Sequence, residues 1–164
     1  MHKLFLEFFG SGRLPAPAIS ASLLGFLLGI ALLWSLGAEA LFSLAFATFL
    51  IGIFEINKFE NRGGAHDDPR IVIDEVTGLW VALSVSVHGL ALVPGLPYAL
   101  PLAFGLSLAS YLLFDLWKPS TIGWIRRNVR GGLGVMLDDT LAGFAAGMLN
   151  LLIFKGIAMV LGSA

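Results

Sequence analysis

Phe114-Asp115-Leu116-Trp117-Lys118-Pro119 is followed six residues later by Arg126-Arg127-Asn128-Val129-Arg130-Gly131-Gly132-Leu133-Gly134-Val135-Met136-Leu137-Asp138-Asp139. This stretch sets Asp115, Asp138 and Asp139, a group of cations, and three of its glycines between two long apolar runs. Each flanking run is long enough to cross a bilayer, which takes about 20 apolar residues. A smaller echo lies upstream, at Asp67-Asp68-Pro69 and Ile71-Val72-Ile73-Asp74-Glu75, again at the edge of an apolar run. Reading outward from these two polar stretches gives an all-α integral membrane bundle.

Composition agrees. The chain of 164 residues is 57% hydrophobic and 13% charged, with a mean hydropathy of +0.89. Ordinary globular domains carry roughly a quarter charged residues. The length suits a single domain over residues 1–164. A net charge of −1 gives no basic face for a nucleic acid. The absence of cysteine excludes thiolate metal ligands and disulfides. Residues 1–9 are too short, and carry Glu7, for a signal peptide; residues 2–9 suit a short interfacial helix.

Five spans follow from the hydropathy pattern: residues 18–36, 40–56, 76–93, 98–114 and 140–161. The loops around Gly10, across 57–75 and across 117–139 then share one side. All of the ten Lys and Arg residues except Lys155 fall there, which by the positive-inside bias makes that side cytoplasmic. His88, inside the third span, is expected to hydrogen-bond to another helix.

Asp74-Glu75 and Asp138-Asp139 each end a polar loop and begin an apolar helix. Aspartates there can simply cap backbone N–H groups and favour the helix dipole. Two such pairs, with Asp115 and Asp67-Asp68 on the same side, ask for more. Carboxylates brought together repel and take up protons unless a cation joins them, and a lone carboxylate at mid-bilayer costs ~3 kcal/mol. A divalent ion shared by Asp74, Glu75, Asp138 and Asp139 resolves both problems. Oxygen-only ligands point to magnesium rather than zinc. Gly131 and Gly132, read as a loop, can turn backbone N–H groups inward as an anion nest between guanidinium groups. Arg127 and Arg130 are therefore candidate phosphate ligands, although arginines here also serve as topology signals. Lys118, three residues after Asp115, shares a helical face with it; Pro119 would end that helix and aim Lys118 back at the acidic pairs. His66, beside Asp67, is a candidate ligand or proton donor, and Glu55, near the loop end of the second span, could join the site.

These residues resemble the phosphatidylglycerophosphatase A family. The carriers are Asp67-Asp68-Pro69 with Ile71-Val72-Ile73-Asp74-Glu75-Val76-Thr77-Gly78, and then Asp115-x-x-Lys118-Pro119. Asn128-x-x-Gly131-Gly132-x-Gly134-x-Met136-x-Asp138-Asp139-x-x-Ala142-Gly143 completes them. The resemblance covers nearly the whole chain. It implies a magnesium-dependent phosphatase that removes the terminal phosphate of phosphatidylglycerophosphate, a phospholipid, to leave phosphatidylglycerol. It also implies a bacterial inner membrane and a site facing the cytoplasm. Under it, Asp74, Asp115 and Asp139 would be catalytic, with Lys118, Arg127, Arg130, Gly131, Gly132 and His66 around the phosphate. Attack by water and attack by a carboxylate, through an aspartyl-phosphate, are both open. The chain departs from the family's opening loop at Pro17-Ala18-Ile19-Ser20-Ala21-Ser22, and at Leu112 and Thr121. Two other readings stand beside this one, a cation-binding transporter and a catalytically degenerate relative. The oligomeric state is not legible.

Overall fold

The computed structural model describes residues 2–118 and 120–162, apart from the side chains of His2, Ser120 and Arg126; no strand occurs among the described residues. The helices are α1 (His2–Leu6), α2 (Pro17–Leu36), α3 (Ala38–Glu60), α4 (Ile73–Val87), α5 (Ala99–Trp117), α6 (Ser120–Asn128) and α7 (Gly131–Gly162). Short 3-10 turns at Ser11–Arg13 and His88–Leu92 complete the order. Five helices are long and apolar enough to cross a membrane, the fourth helix being extended by its 3-10 turn to Leu92. This is the architecture of a multi-pass membrane protein. Its outer faces carry Leu27, Trp34, Phe46, Phe54 and Leu152, each more than half exposed, a coating that suits lipid and not water.

α4 is the centre. Buried residues make up 61% of its span, against 22% for each of the other four, and α2, α3, α5 and α7 all pack on it. Apolar contact alone does not hold helices together in lipid, so small residues and interhelical hydrogen bonds matter. Trp80 Nε1 donates to the Gly25 carbonyl at 2.9 Å, fastening α2 to α4. Asn150 Nδ2 donates to Ser86 Oγ at 2.8 Å and Ser110 Oγ at 3.0 Å, tying α7 to α4 and α5. Such bonds average about 0.6 kcal/mol each in membrane bundles. His88 does not reach across helices as expected; its Nδ1 lies 2.7 Å from the Ser84 carbonyl, one turn back.

The polar segments gather at one end of the bundle. The Val72 N–H donates to the Leu6 carbonyl at 3.0 Å, and Gly132 N–H donates to Asn57 Oδ1 at 2.7 Å. The Gly37 turn and the residues after α4 occupy the other end, where Gly89 lies against the Phe154 ring.

Helix boundaries correct the sequence reading in three places. The last span starts at Gly131, not at residue 140, so Asp138 and Asp139 lie two turns inside α7. Gly131 and Gly132 open a helix and do not form a loop nest. Their lack of a Cβ serves packing, since a Cβ on Gly132 would strike the Ile53 backbone. α4 starts at Ile73, so Asp74 and Glu75 occupy its first turn. The polar region after α5 holds an unexpected helix, α6, which buries Ile122 and Ile125 and packs on α7. Pro119, expected to aim Lys118, lies outside the described residues.

Candidate active site

Two glycines bring the acidic residues together. A Cβ on Gly78 would collide with the Asp139 carbonyl, and one on Gly143 with the Gly78 carbonyl. The backbones of α4 and α7 therefore touch where they cross. Asp74 and Glu75 sit one turn above Gly78, and Asp139 one turn before Gly143 (about 3.6 residues per turn). The crossing thus faces the two acidic segments at close range. One carboxylate oxygen each from Asp74, Glu75 and Asp139 lies within 4.8 Å of the others.

Asp74 and Asp139 are buried, at 5% and 2% exposure. Asp74 Oδ1 and Glu75 Oε2 are buried with no hydrogen-bond partner among the described residues. The hydroxyl of Tyr111, a residue fully enclosed, also lacks a partner. The Tyr111 ring lies at the same crossing, 2.8 Å from where a Cβ on Gly78 would stand. Buried polar atoms without partners are rare in folded proteins, so this group is incomplete as it stands. Three hard oxygen donors converging on one point suit a divalent cation of the magnesium or calcium type. The residues present fit such an ion.

Asp138 turns elsewhere. Successive helix residues point about 100° apart, and Asp138 Oδ2 meets Lys118 Nζ at 2.7 Å. The same ammonium reaches Asp139 Oδ1 at 2.7 Å and Asp115 Oδ1 at 3.0 Å. Lys118 caps α5 in the left-handed conformation, at φ 41°, with its N–H bonded to the Phe114 carbonyl. Burial opposes its charge. The attraction of Asp139, Asp115 and Asp138, with the hydrogen bond to Asp138, outweighs burial and holds its pKa above the ordinary lysine value. The face shared with Asp115 is present as expected, and two further carboxylates join it.

The other expected residues lie farther out. Arg127 is exposed on α6, and Arg130 is exposed just before α7. His66 is exposed and its Nδ1 faces Glu60 Oε1 at 2.7 Å, so the structure pairs it with the end of α3. Asp68 binds Arg70 through both carboxylate oxygens. Glu55 lines a cleft beside α1 together with Lys58. Sequence reasoning missed Tyr111, because a lone tyrosine in an apolar run reads as packing. It is four residues before Asp115, one helical turn, which is the signal that would have found it.

Fold and site together define a class: a multi-pass helical membrane protein with a buried carboxylate centre at one end of its bundle. The comparisons narrow it. Phosphatidylglycerophosphatase A is the family that matches residues 4–154, and the chain belongs to that family of phosphoric monoester hydrolases. It is 34% identical to the Haemophilus influenzae phosphatidylglycerophosphatase A over 139 residues, covering 84% of this chain and 79% of that protein. It is 35% identical to the Escherichia coli phosphatidylglycerophosphatase A over 106 residues, covering 60% of this chain and 52% of that protein. A Bacteroides thetaiotaomicron protein provisionally named as a phosphatidylinositol-3-phosphatase is 35% identical over 142 residues, covering 82% of each. No solved structure matches significantly.

Proposed function

We propose that this protein hydrolyses the terminal phosphomonoester of phosphatidylglycerophosphate, giving phosphatidylglycerol and inorganic phosphate. Magnesium is its cofactor, and the site opens to the cytoplasm of a bacterial inner membrane. The observation that carries the reading is the convergence of Asp74, Glu75 and Asp139 within 4.8 Å, in a chain of this family. The charge bias of the loops supports the orientation.

Asp74, Glu75 and Asp139 would hold the ion. Bound there, magnesium neutralises charge on phosphoryl oxygens and makes a coordinated water more acidic. The chain supplies the rest. Burial of Asp74 and Asp139 keeps bulk water from competing with them. Asp138 and Asp115 hold the Lys118 ammonium beside Asp139, where a fixed positive charge favours an incoming phosphate. Such preorganised charge acts without reorganisation during the reaction. Arg127 and Arg130, exposed on the α6 side, suit the approach of an anionic headgroup more than the reacting phosphoryl group.

Purified protein in detergent should release phosphate from phosphatidylglycerophosphate with magnesium present, and stop after chelation. No release under any divalent ion would refute the phosphatase reading. Release that survives chelation would refute the metal alone. The Bacteroides relative makes phosphatidylinositol 3-phosphate the natural competitor substrate; faster turnover of that lipid would reassign the specificity.

A further inference from the structure

We propose that the cleft between α1, the end of α3 and the segment leading to α4 binds the phosphate headgroup of an anionic bilayer phospholipid, at a site separate from the acidic centre. The cleft has a volume of about 650 Å³ and its charged lining is Lys3, Lys58, Arg62 and Arg70 with Glu55 and Asp68. None of Asp74, Glu75, Asp139 or Lys118 lines it.

The charges do not cancel. Arg70 is committed to Asp68 by two hydrogen bonds, at 3.0 and 2.7 Å. The side-chain bond from Arg70 holds the Asp68 carboxyl below the usual carboxylate range. Lys58 faces Glu55 at 3.9 Å. Lys3 and Arg62 enter no ion pair among the described residues. Lys3 is near enough for its charge to act on Asp68, but four cations against two carboxylates leave the lining net positive, which suits the anionic phosphate of a phospholipid.

The walls are set by local structure. Gly63, at φ +87°, turns the chain after α3, and Gly64 lies flat against the Phe59 ring, where a Cβ would collide. On the other side the Val72 N–H bond to the Leu6 carbonyl holds α1 against the segment before α4. Depth in the membrane follows from Leu4 in α1 and Phe9 just after it, which are 59% and 77% exposed. Exposed bulky apolar side chains on an interfacial segment partition into the acyl boundary. That places neighbouring Lys3 at headgroup level. A lipid is thus a better occupant than a soluble anion, because its headgroup is already concentrated at that depth.

The test measures association and needs no turnover, so it stands or falls apart from the phosphatase reading. The protein is placed in phosphatidylcholine bilayers with spin-labelled phosphatidylserine or spin-labelled phosphatidylcholine, and the motionally restricted fraction is read by EPR. Wild type should prefer phosphatidylserine. Lys3→Gln with Arg62→Gln should lower that preference by about fivefold for each cation removed, while phosphate release stays unchanged. Lys155→Gln, an exposed cation in the C-terminal half of α7, should leave the preference intact. Equal preference in wild type and double variant overturns the proposal. Displacement of the labelled lipid by millimolar glycerol 3-phosphate also overturns it, since the cleft would then take a free phosphate ester. A parallel fall in hydrolysis would make the cleft part of the acidic centre and overturn its separateness.

Discussion

Lys118→Met should destabilise the metal-free protein far more than loss of an ordinary lysine. Methionine keeps the length of the side chain and removes the charge. In the native protein that charge meets carboxylate oxygens of Asp138 and Asp139 at 2.7 Å and of Asp115 at 3.0 Å. The Lys118 side chain is 17% exposed, and those of Asp138 and Asp139 are 3% and 2% exposed. An exposed ion pair contributes about 0–1 kcal/mol. Removing one partner of a buried pair costs about 3–5 kcal/mol, because the other charge is left uncompensated. Here three carboxylates lose their common cation, so the upper half of that range applies. For a protein of this size the loss corresponds to a Tm lower by on the order of 10 °C. The measurement is thermal unfolding in detergent with chelator present, compared with the same scan after magnesium is added. Magnesium should recover part of the loss, since an ion among Asp74, Glu75 and Asp139 neutralises the same cluster. The pH dependence has a definite sign. The folded pKa of Lys118 lies above its ordinary value of 10.5. Its contribution is therefore complete below 10.5 and is lost only as pH rises through the folded value. The gap between wild type and variant should not narrow from about pH 7 to about pH 9, because carboxylates left without their cation can only ionise further as pH rises. A Tm shift under about 2 °C without metal, or a gap that closes in that interval, would refute the reasoning.

Asp139→Asn and Glu75→Gln keep shape and remove one charge each; both should lower kcat/KM by on the order of 100-fold or more, and weaken magnesium binding measured by calorimetry. Wild-type kinetics in either would remove that residue from the site. Gly143→Ala puts a Cβ into the Gly78 carbonyl, so it should cost about 1–3 kcal/mol and reduce activity, whereas Gly156→Ala, with open space around it, should be silent in the same unfolding and turnover assays. Asp68→Asn removes a carboxyl whose pKa the Arg70 side-chain hydrogen bond depresses. Its contribution is present above the unfolded value of 3.8 and lost as pH falls through the lower folded value. A stability difference of up to about 1 kcal/mol should therefore appear at neutral pH and vanish in strong acid, as read from denaturant midpoints at each pH.

Much of the fold is legible because long apolar runs admit few alternatives. The run at 18–36 and the helix Pro17–Leu36 differ by one residue. The run at 40–56 is extended at both ends in α3, chiefly by the polar Glu39, Asn57, Lys58 and Glu60, and the run at 98–114 begins one residue later in α5 and continues through Asp115-Leu116-Trp117. Where the reading failed, a tertiary contact outweighed local preference. Three glycines within four residues favour a loop on propensity alone. In α7 they are helical, with Gly132 lying on the backbone of Ile53, a contact that no local pattern reveals. α6 carried a usable signal in Ile122 and Ile125, three apart on one face, inside a segment dominated by its arginines. In the site, the acidic pairs were visible as residue types, but their closeness depends on the crossing of Gly78 with Gly143. His66 was assigned by its neighbour in sequence, Asp67, whereas the fold gives it Glu60.

The enclosed position of α4 bears on how the chain is made. Its span, Ile73–Leu92, has the lowest mean hydropathy of the five, at 1.4, against 1.9 for Gly131–Gly162. It also brings Asp74 and Glu75 to the lipid boundary during synthesis, before α7 has left the ribosome. Until α7 arrives, α2 and α3 can already pack on α4, but the acids lack the helix that carries Asp139, their partner in the cluster. The acidic centre is thus completed last: a chain truncated before Gly131 keeps α2, α3 and α5 for its central helix but lacks α7, the helix that packs on it most and carries Asp139.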